Sequence, residues 1–394
     1  MLLQTKPWNP SHKVTVMICS LSENLVVTAA TLACLLLVAS PTGEASAADP
    51  KQVPPDNRGV VHLETGGSTG ISVRIAEDLA SIVDDGATRR VLPVVGKGSL
   101  QNITDLKLLH GIDIAILQAD VLEYARQQRL YPGIENSITY IAKLYNEEFH
   151  LLARADISSI EELANQTVNV DLRGSGTAVT AGQLFNLLNI RIVAANDHQQ
   201  VALQKLRKGE IAALALVAGK PAPFFRELEN NGEVHFLAIP LDAKVIAAYV
   251  PTRLDATDYP NLVSQDQAVD TVAVGTVLAV ANLEPLSTRF NNVANFVEVF
   301  FTEFRLLLEP GHHSKWREVN LAADFPGWRR FLPAEQWLKR NTNVAPQISS
   351  QDLKAIFERF IEERQHRIGG PTMTQRQKDE LFSQFQRWQA GQVR

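Results

Sequence analysis

Thiols are almost missing from this chain. Of its 394 residues only Cys19 and Cys34 are cysteine, and both fall within the first 48. Everything after them is excluded from disulfide stapling and from a cysteine-built metal centre. Runs of basic residues are also lacking: 38 Lys and Arg stand against 43 Asp and Glu, a formal charge of -5. That balance gives no positive face for a polyanion, so no nucleic acid is expected as a partner. The sequence has no solenoid-type repeat and no low-complexity tract. Its most continuous apolar run, Leu25 to Val38, falls short of the roughly 20 residues that a membrane-spanning helix needs.

The first segment instead has the layout of an export signal. Lys6 and Lys13 precede the apolar run, and Ala45-Ser46-Ala47 supplies small residues for cleavage before Ala48. Residues 1–47 are therefore expected to be a signal peptide cleaved near Ala47, placing the mature protein in the periplasm. A lead-in with Pro50, Pro54 and Pro55 follows.

From Val60 the chain, 45% hydrophobic overall, has the material for large cores. β-prone and helical runs alternate: strands at 90–95, 112–117, 138–144 and 149–153, with helices at 99–109 and 119–128. This predicts an α/β fold with a mainly parallel sheet. The alternation resumes through 190–194, 199–208, 211–217 and 234–238. Ala247 to Val250 and Val269 to Val280 read as strands returning toward the first half. A long helix is expected over 285–308 and an aperiodic stretch with Trp316, Trp328 and Trp337 beyond it. Two amphipathic helices close the chain, one with Leu353, Ile356, Phe357, Phe360 and Ile361 on one face, the other with Leu381, Phe382, Phe385 and Trp388.

Two glycine loops stand out. Gly66-Gly67-Ser68-Thr69-Gly70 follows the run Val60 to Leu63, and Arg173-Gly174-Ser175-Gly176-Thr177 follows the run Thr167 to Val170; each opens a helical pattern. Glycine lets the backbone turn its N–H groups outward, and the first turn of a helix leaves amides without internal acceptors, so such loops suit an anion. Gly67, Ser68, Thr69, Ser99, Gln118, Arg173, Ser175, Gly176, Thr177 and Lys220 are the candidate ligand-binding residues. Arg173, Lys220 and Lys97 bring cationic side chains to three of the loops. Tyr145, Glu147 and His150 lie where the chain is expected to cross between lobes. Gly66 to Gly70 also fits the G-x-S-x-G pattern of a serine hydrolase, but that fold sets several strands before its nucleophile and few residues precede Ser68 here. No enzyme is expected, and His312-His313 lacks a third ligand at metal-site spacing.

The order of motifs resembles the TAXI-type solute receptors of tripartite TRAP transporters. The matching pieces are the first glycine loop, Gly98 to Asn102, Asp113 to Asp120, Leu144 to Arg154, the loop at 174–177 with Thr180-Ala181, and Ala218 to Pro223. The resemblance covers roughly residues 58–308. It implies a two-lobed type II periplasmic binding protein fold with a hinge of two crossing strands. Lobe 1 comprises 58–154 plus 246–308, lobe 2 comprises 155–245, and residues 309–394 form a C-terminal helical extension. By the same resemblance the ligand is a small anionic solute, a carboxylate such as glutamate or 2-oxoglutarate, and the partners are the membrane subunits of a TRAP permease, with no cofactor. An ABC importer or a sensor system uses the same fold, and fold does not set function.

Overall fold

The computed structural model describes residues 59–341 together with 374, 376–379 and 381–383. The expected signal peptide, the lead-in and most of the two terminal amphipathic helices lie outside the described residues. The elements run in the order β1 (Val60–Thr65), α1 (Ser72–Val83), β2 (Arg90–Val95), α2 (Ser99–Leu108), β3 (Ile114–Gln118), α3 (Ala119–Gln127), α4 (Ile134–Ser137) and β4 (Ile138–Arg154). Then come β5 (Thr167–Asn169), α5 (Gly176–Leu187), β6 (Val193–Ala195), α6 (Gln199–Arg207), β7 (Ala213–Ala218), α7 (Pro223–Arg226), β8 (Val234–Phe236) and α8 (Ala243–Ala248). The last are β9 (Val250–Leu254), β10 (Val269–Ala281), α9 (Thr288–Thr302) and α10 (Leu332–Arg340).

The fold is mixed α/β around a central sheet, with the strand path β2-β1-β3-β10-β4-β7-β5-β6 and with β8 and β9 paired beside it. The outer strands are parallel, as alternation with helices predicts: β1 pairs with β2 and β3, and β5 with β6 and β7. The middle is antiparallel instead, because β10 runs against both β3 and β4, and β4 against β7. Two long strands thus join two halves of the sheet.

Each half has apolar layers on both faces. Leu63, Ile75 and Leu79 pack with Phe296, Phe300 and Trp316 on one face of the first half, and Ile103, Leu117 and Val121 with Phe325 and Trp328 on the other. In the second half Phe149, Leu163, Leu184 and Val272 form one layer and Leu152, Leu206, Phe225 and Tyr259 the other. Sequence distance does not matter to these layers. The stretch 309–341, which showed no periodicity, contributes Trp316, Phe331 and Trp337 to one core of the first half and Phe325 and Trp328 to the other.

Three expectations change. Ile138 to Ala153 is not two strands but one 17-residue strand, β4. Ala247-Ala248 is helical, because Asp242 caps α8 by accepting from the amides of Lys244 and Val245; only from Val250 does the chain extend, as β9 beside β10. The second strand that joins the halves is therefore β10, not the run at 247–250. The helix expected over 285–308 ends at Thr302 and continues as a 3-10 turn, Phe304–Leu308.

Candidate functional site

The C-terminal ends of the parallel strands carry the loops that the sequence singled out, and in this structure loops from the two halves touch directly. Gly70, after β1, lies against Ala218 at the end of β7, and Ile71 packs so closely on Gly219 that a Cβ there would sit 2.4 Å from Ile71 Cδ1. The amide of Gln101 donates to the carbonyl of Gly174 at 3.0 Å. Gly98 has φ +127 and rests on the Ser175 backbone, a placement and conformation that a residue with a side chain does not tolerate.

Gln118 ends β3 and reaches across to α5. Its carboxamide covers Gly176, where a Cβ would lie 1.7 Å from Gln118 Oε1. The backbone amide of Gln118 donates to Ser99 Oγ at 2.9 Å, and its Nε2 donates to Glu147 Oε2 at 2.6 Å. Gln118 Oε1 is buried and has no partner, an unusual state for a carbonyl removed from water. About one turn along, Thr180 of α5 donates to Asp120 of α3 at 2.7 Å, while the other oxygen of that carboxylate is also buried without a partner.

The helix start is built as its sequence suggests. Ser175 Oγ accepts from the amide of Ala178 at 3.1 Å and caps α5. Thr177 Oγ1 accepts from the amide of Val217 at 3.0 Å, tying α5 to β7. Both hydroxyl groups therefore have structural roles here.

The remaining candidates are placed differently. Ser68 is exposed and Thr69 half-buried in a turn closed by the Gly70 amide on the Gly67 carbonyl. Arg173 is exposed and donates to Asn196 Oδ1 at 3.4 Å. Lys220 points away from the glycine loops: its ammonium meets the carbonyl of Arg253 at 2.7 Å and carboxylate oxygens of Asp258 and Asp255 at 3.0 and 3.6 Å. The structure thus brings together Ser99, Gln118, Ser175, Gly176 and Thr177, and turns the ammonium of Lys220 elsewhere.

Sequence reasoning missed how acidic the floor beneath the loops is. Burial lifts Glu147 to about 7, with Gln118 opposing the rise and Glu148 adding to it. Burial, with the carboxylate of Asp105 next, lifts Glu64 to about 8, and burial brings Asp120 to about 6. Tyr145, buried against Gly219, points its hydroxyl at Glu147 Oε1, 3.4 Å away. The signal was available in Glu147-Glu148, two adjacent carboxylates between the apolar runs of β4.

His150, next along β4, is spoken for. Its Nδ1 faces the carbonyl of Leu216 and therefore carries the proton, so Nε2 accepts from the Tyr259 hydroxyl at 2.6 Å. That hydroxyl in turn accepts from the amide of Ala222. Burial among Phe225, Phe236 and Tyr259 lowers His150 to about 3, leaving it a neutral packing group.

A family model described as the NMT1-like family matches residues 63–290, more than half of the chain. Among solved structures, a periplasmic transporter is 13% identical, covering 72% of this chain and 92% of its own with a TM-score of 0.44. A TctC solute binding protein from Polaromonas is 13% identical, covering 66% of this chain and 86% of its own at 0.37. The substrate binding protein of an amino acid ABC transporter is 11% identical, covering 64% and 98% at 0.37.

Proposed function

Because the chain belongs to the NMT1-like family, a family of solute-binding-protein type, we propose that it is an extracytoplasmic receptor that captures one small solute between its two sheet halves and delivers it to a membrane permease. Lobe 1 takes in 58–154 and 246–308 and lobe 2 takes in 155–245, with β4 and β10 as the hinge. The observation that supports this most is the meeting of Gln118 with Gly176. A group from one half stands over the first helical turn of the other, where N–H groups of α5 lack internal acceptors.

The solute is a small carboxylate. Its anionic end faces the start of α5, with Ser175, Gly176 and Thr177 shaping that end and the exposed cations Arg173 and Lys97 at the rim. Gln118 Oε1, buried without a donor, asks for an N–H or O–H on the solute, which favours glutamate over 2-oxoglutarate. Binding shifts the population toward the closed form by its differential affinity for that form. Gly67, Ser68 and Thr69 contact the solute from the first loop in the same reading, and Lys220 acts through its backbone.

The permease is of the TRAP type. An ABC importer or a sensor would draw on the same capture chemistry, and the genes beside this one separate the three. Titration calorimetry with L-glutamate, 2-oxoglutarate and a panel of carboxylates tests the receptor reading. Measurable binding that weakens in Arg173→Ala and in Gly176→Ala is expected; binding unchanged in both variants would remove this site.

A further inference from the structure

The ladder between β4 and β10 is interrupted at two points, between Gly275 and Val277 and between Leu278 and Ala279. The first of these lies opposite Asn146. A bulge leaves backbone groups without ladder partners, and here they are met from elsewhere: the hydroxyl of Thr276 donates to the carbonyl of Tyr145 at 2.7 Å, and the amide of Asn146 donates to Glu318 Oε2 at 3.1 Å. Glu318 belongs to the 3-10 turn Ser314–Glu318, beyond the stretch 63–290 that the family model matches.

The same turn supplies Lys315, one of the few buried ammonium groups of the described residues. Its Nζ lies 2.6 Å from Glu148 Oε1 and 2.8 Å from Glu318 Oε1. Lys315 and Glu148 are each 3% exposed in their side chains. The other oxygen of Glu148 accepts from the backbone amide of Lys220 at 2.7 Å, in the loop after β7 that carries Gly219 against Ile71. At its other end the turn is anchored on α1, where Asp78 Oδ2 accepts from the amide of His313 at 2.8 Å and from Trp316 Nε1 at 2.9 Å. A continuous polar path thus runs from α1 in the first half, through Lys315 and Glu148 at the crossing, to the loop of the second half that faces the solute loops.

We infer that Lys315 is a positioning residue for solute capture: through Glu148 it holds the Lys220 backbone, and with Glu318 it holds the bulge, so the C-terminal segment sets the angle between the two halves. This rests on the receptor reading above, in which that angle controls access to the solute.

The test is a distance between the halves. Spin labels at Leu109→Cys and Val193→Cys, both exposed sites, are placed in the full chain with Cys19→Ser and Cys34→Ser, and the distribution is measured by electron–electron double resonance without added solute. The native background is expected to give one narrow distance. Lys315→Met is expected to add a second, separate population, and Lys315→Arg to keep most of the native one. If Lys315→Met fails to fold, Lys315→Met with Glu148→Gln removes both buried charges of the crossing, leaving only the partly exposed Glu318 carboxylate, and takes its place. Superimposable distributions in the native background and in whichever of Lys315→Met and the Lys315→Met, Glu148→Gln pair folds would overturn the inference. Loss of the receptor reading would show separately, as absence of binding in calorimetry, and would leave the distance result standing as a property of the crossing alone.

Discussion

Gly176 is one of the residues at which the two halves meet, and its lack of a side chain is what allows Gln118 to lie over α5. Gly176→Ala places a methyl where the Gln118 carboxamide now sits, so solute affinity is expected to fall at least tenfold, about 1.4 kcal/mol, by calorimetry. Shortening the intruder in Gly176→Ala with Gln118→Ala should return the melting temperature to near the native one. Thr177→Val is expected to cost about 1–3 kcal/mol in urea unfolding, because it leaves the amide of Val217 buried without an acceptor.

The acidic floor gives the folded chain a pH signature. Glu64 and Glu147 hold protons to about pH 8 and about 7, well past the ordinary 4.5. Over that interval the folded state binds more protons than the unfolded one, so their contribution is full below about 4.5 and is lost as pH rises toward 8. His150, lowered by burial to about 3, works in the opposite sense, gaining stability as pH rises from 3 to 6.5. Asp120 has finished its own loss near 6. Above about pH 6.5 the two glutamates still slope, so the melting temperature should decline between pH 6.5 and 8.5. Glu64→Gln with Glu147→Gln should flatten that decline; an unchanged slope would mean that neither carboxyl is held neutral.

At the scale of elements, the turn Ser314–Glu318 ties the crossing to α1. Removing the cation of its buried pair in Lys315→Met is expected to destabilise the fold by about 3–5 kcal/mol, read from urea midpoints, since Glu148 is left in the interior without its cation. Trp316 is fully buried and donates to Asp78, so Trp316→Ala should cost a similar about 3–5 kcal/mol.

Which elements were legible in the sequence follows from what forms them. The strand–loop–helix units at 60–83 and 167–187 depend on local pattern: a β-prone run, glycines, then helical spacing. They stand where expected, β5 ending only at Asn169 and α5 opening at Gly176. β4 was read as broken because Asn146-Glu147-Glu148 is polar, yet those three residues find partners in Gln118, Lys315 and Glu318, none of them near in sequence. A run that depends on distant partners has no local signature. The same holds for 309–341, whose short 3-10 turns and isolated tryptophans carry no period although they complete two cores. Among the site residues, glycine loops announce themselves, but Lys220 finds its carboxylates on the loop after β9, which nothing in its own neighbourhood foretold.

Across the whole molecule, contacts between the two halves join groups far apart in the chain: Gln118 with Gly176, Asp120 with Thr180, Gln101 with Gly174. Small-angle scattering with saturating L-glutamate is expected to show a smaller radius of gyration than without it, and Thr180→Ala to make the unliganded chain larger still. Equal radii in all three conditions would mean that the halves do not move.

On the proposed reading, the side chain that lies over α5 turns capture into an exchange. A solute seated at the start of α5 would have to evict the Gln118 carboxamide, so the affinity that a titration reports would be the difference between two competing occupants of one place. Trimming that residue alone would then make two opposite changes at once, removing a rival and removing a contact, and the sign of the outcome would tell which of the two governs retention.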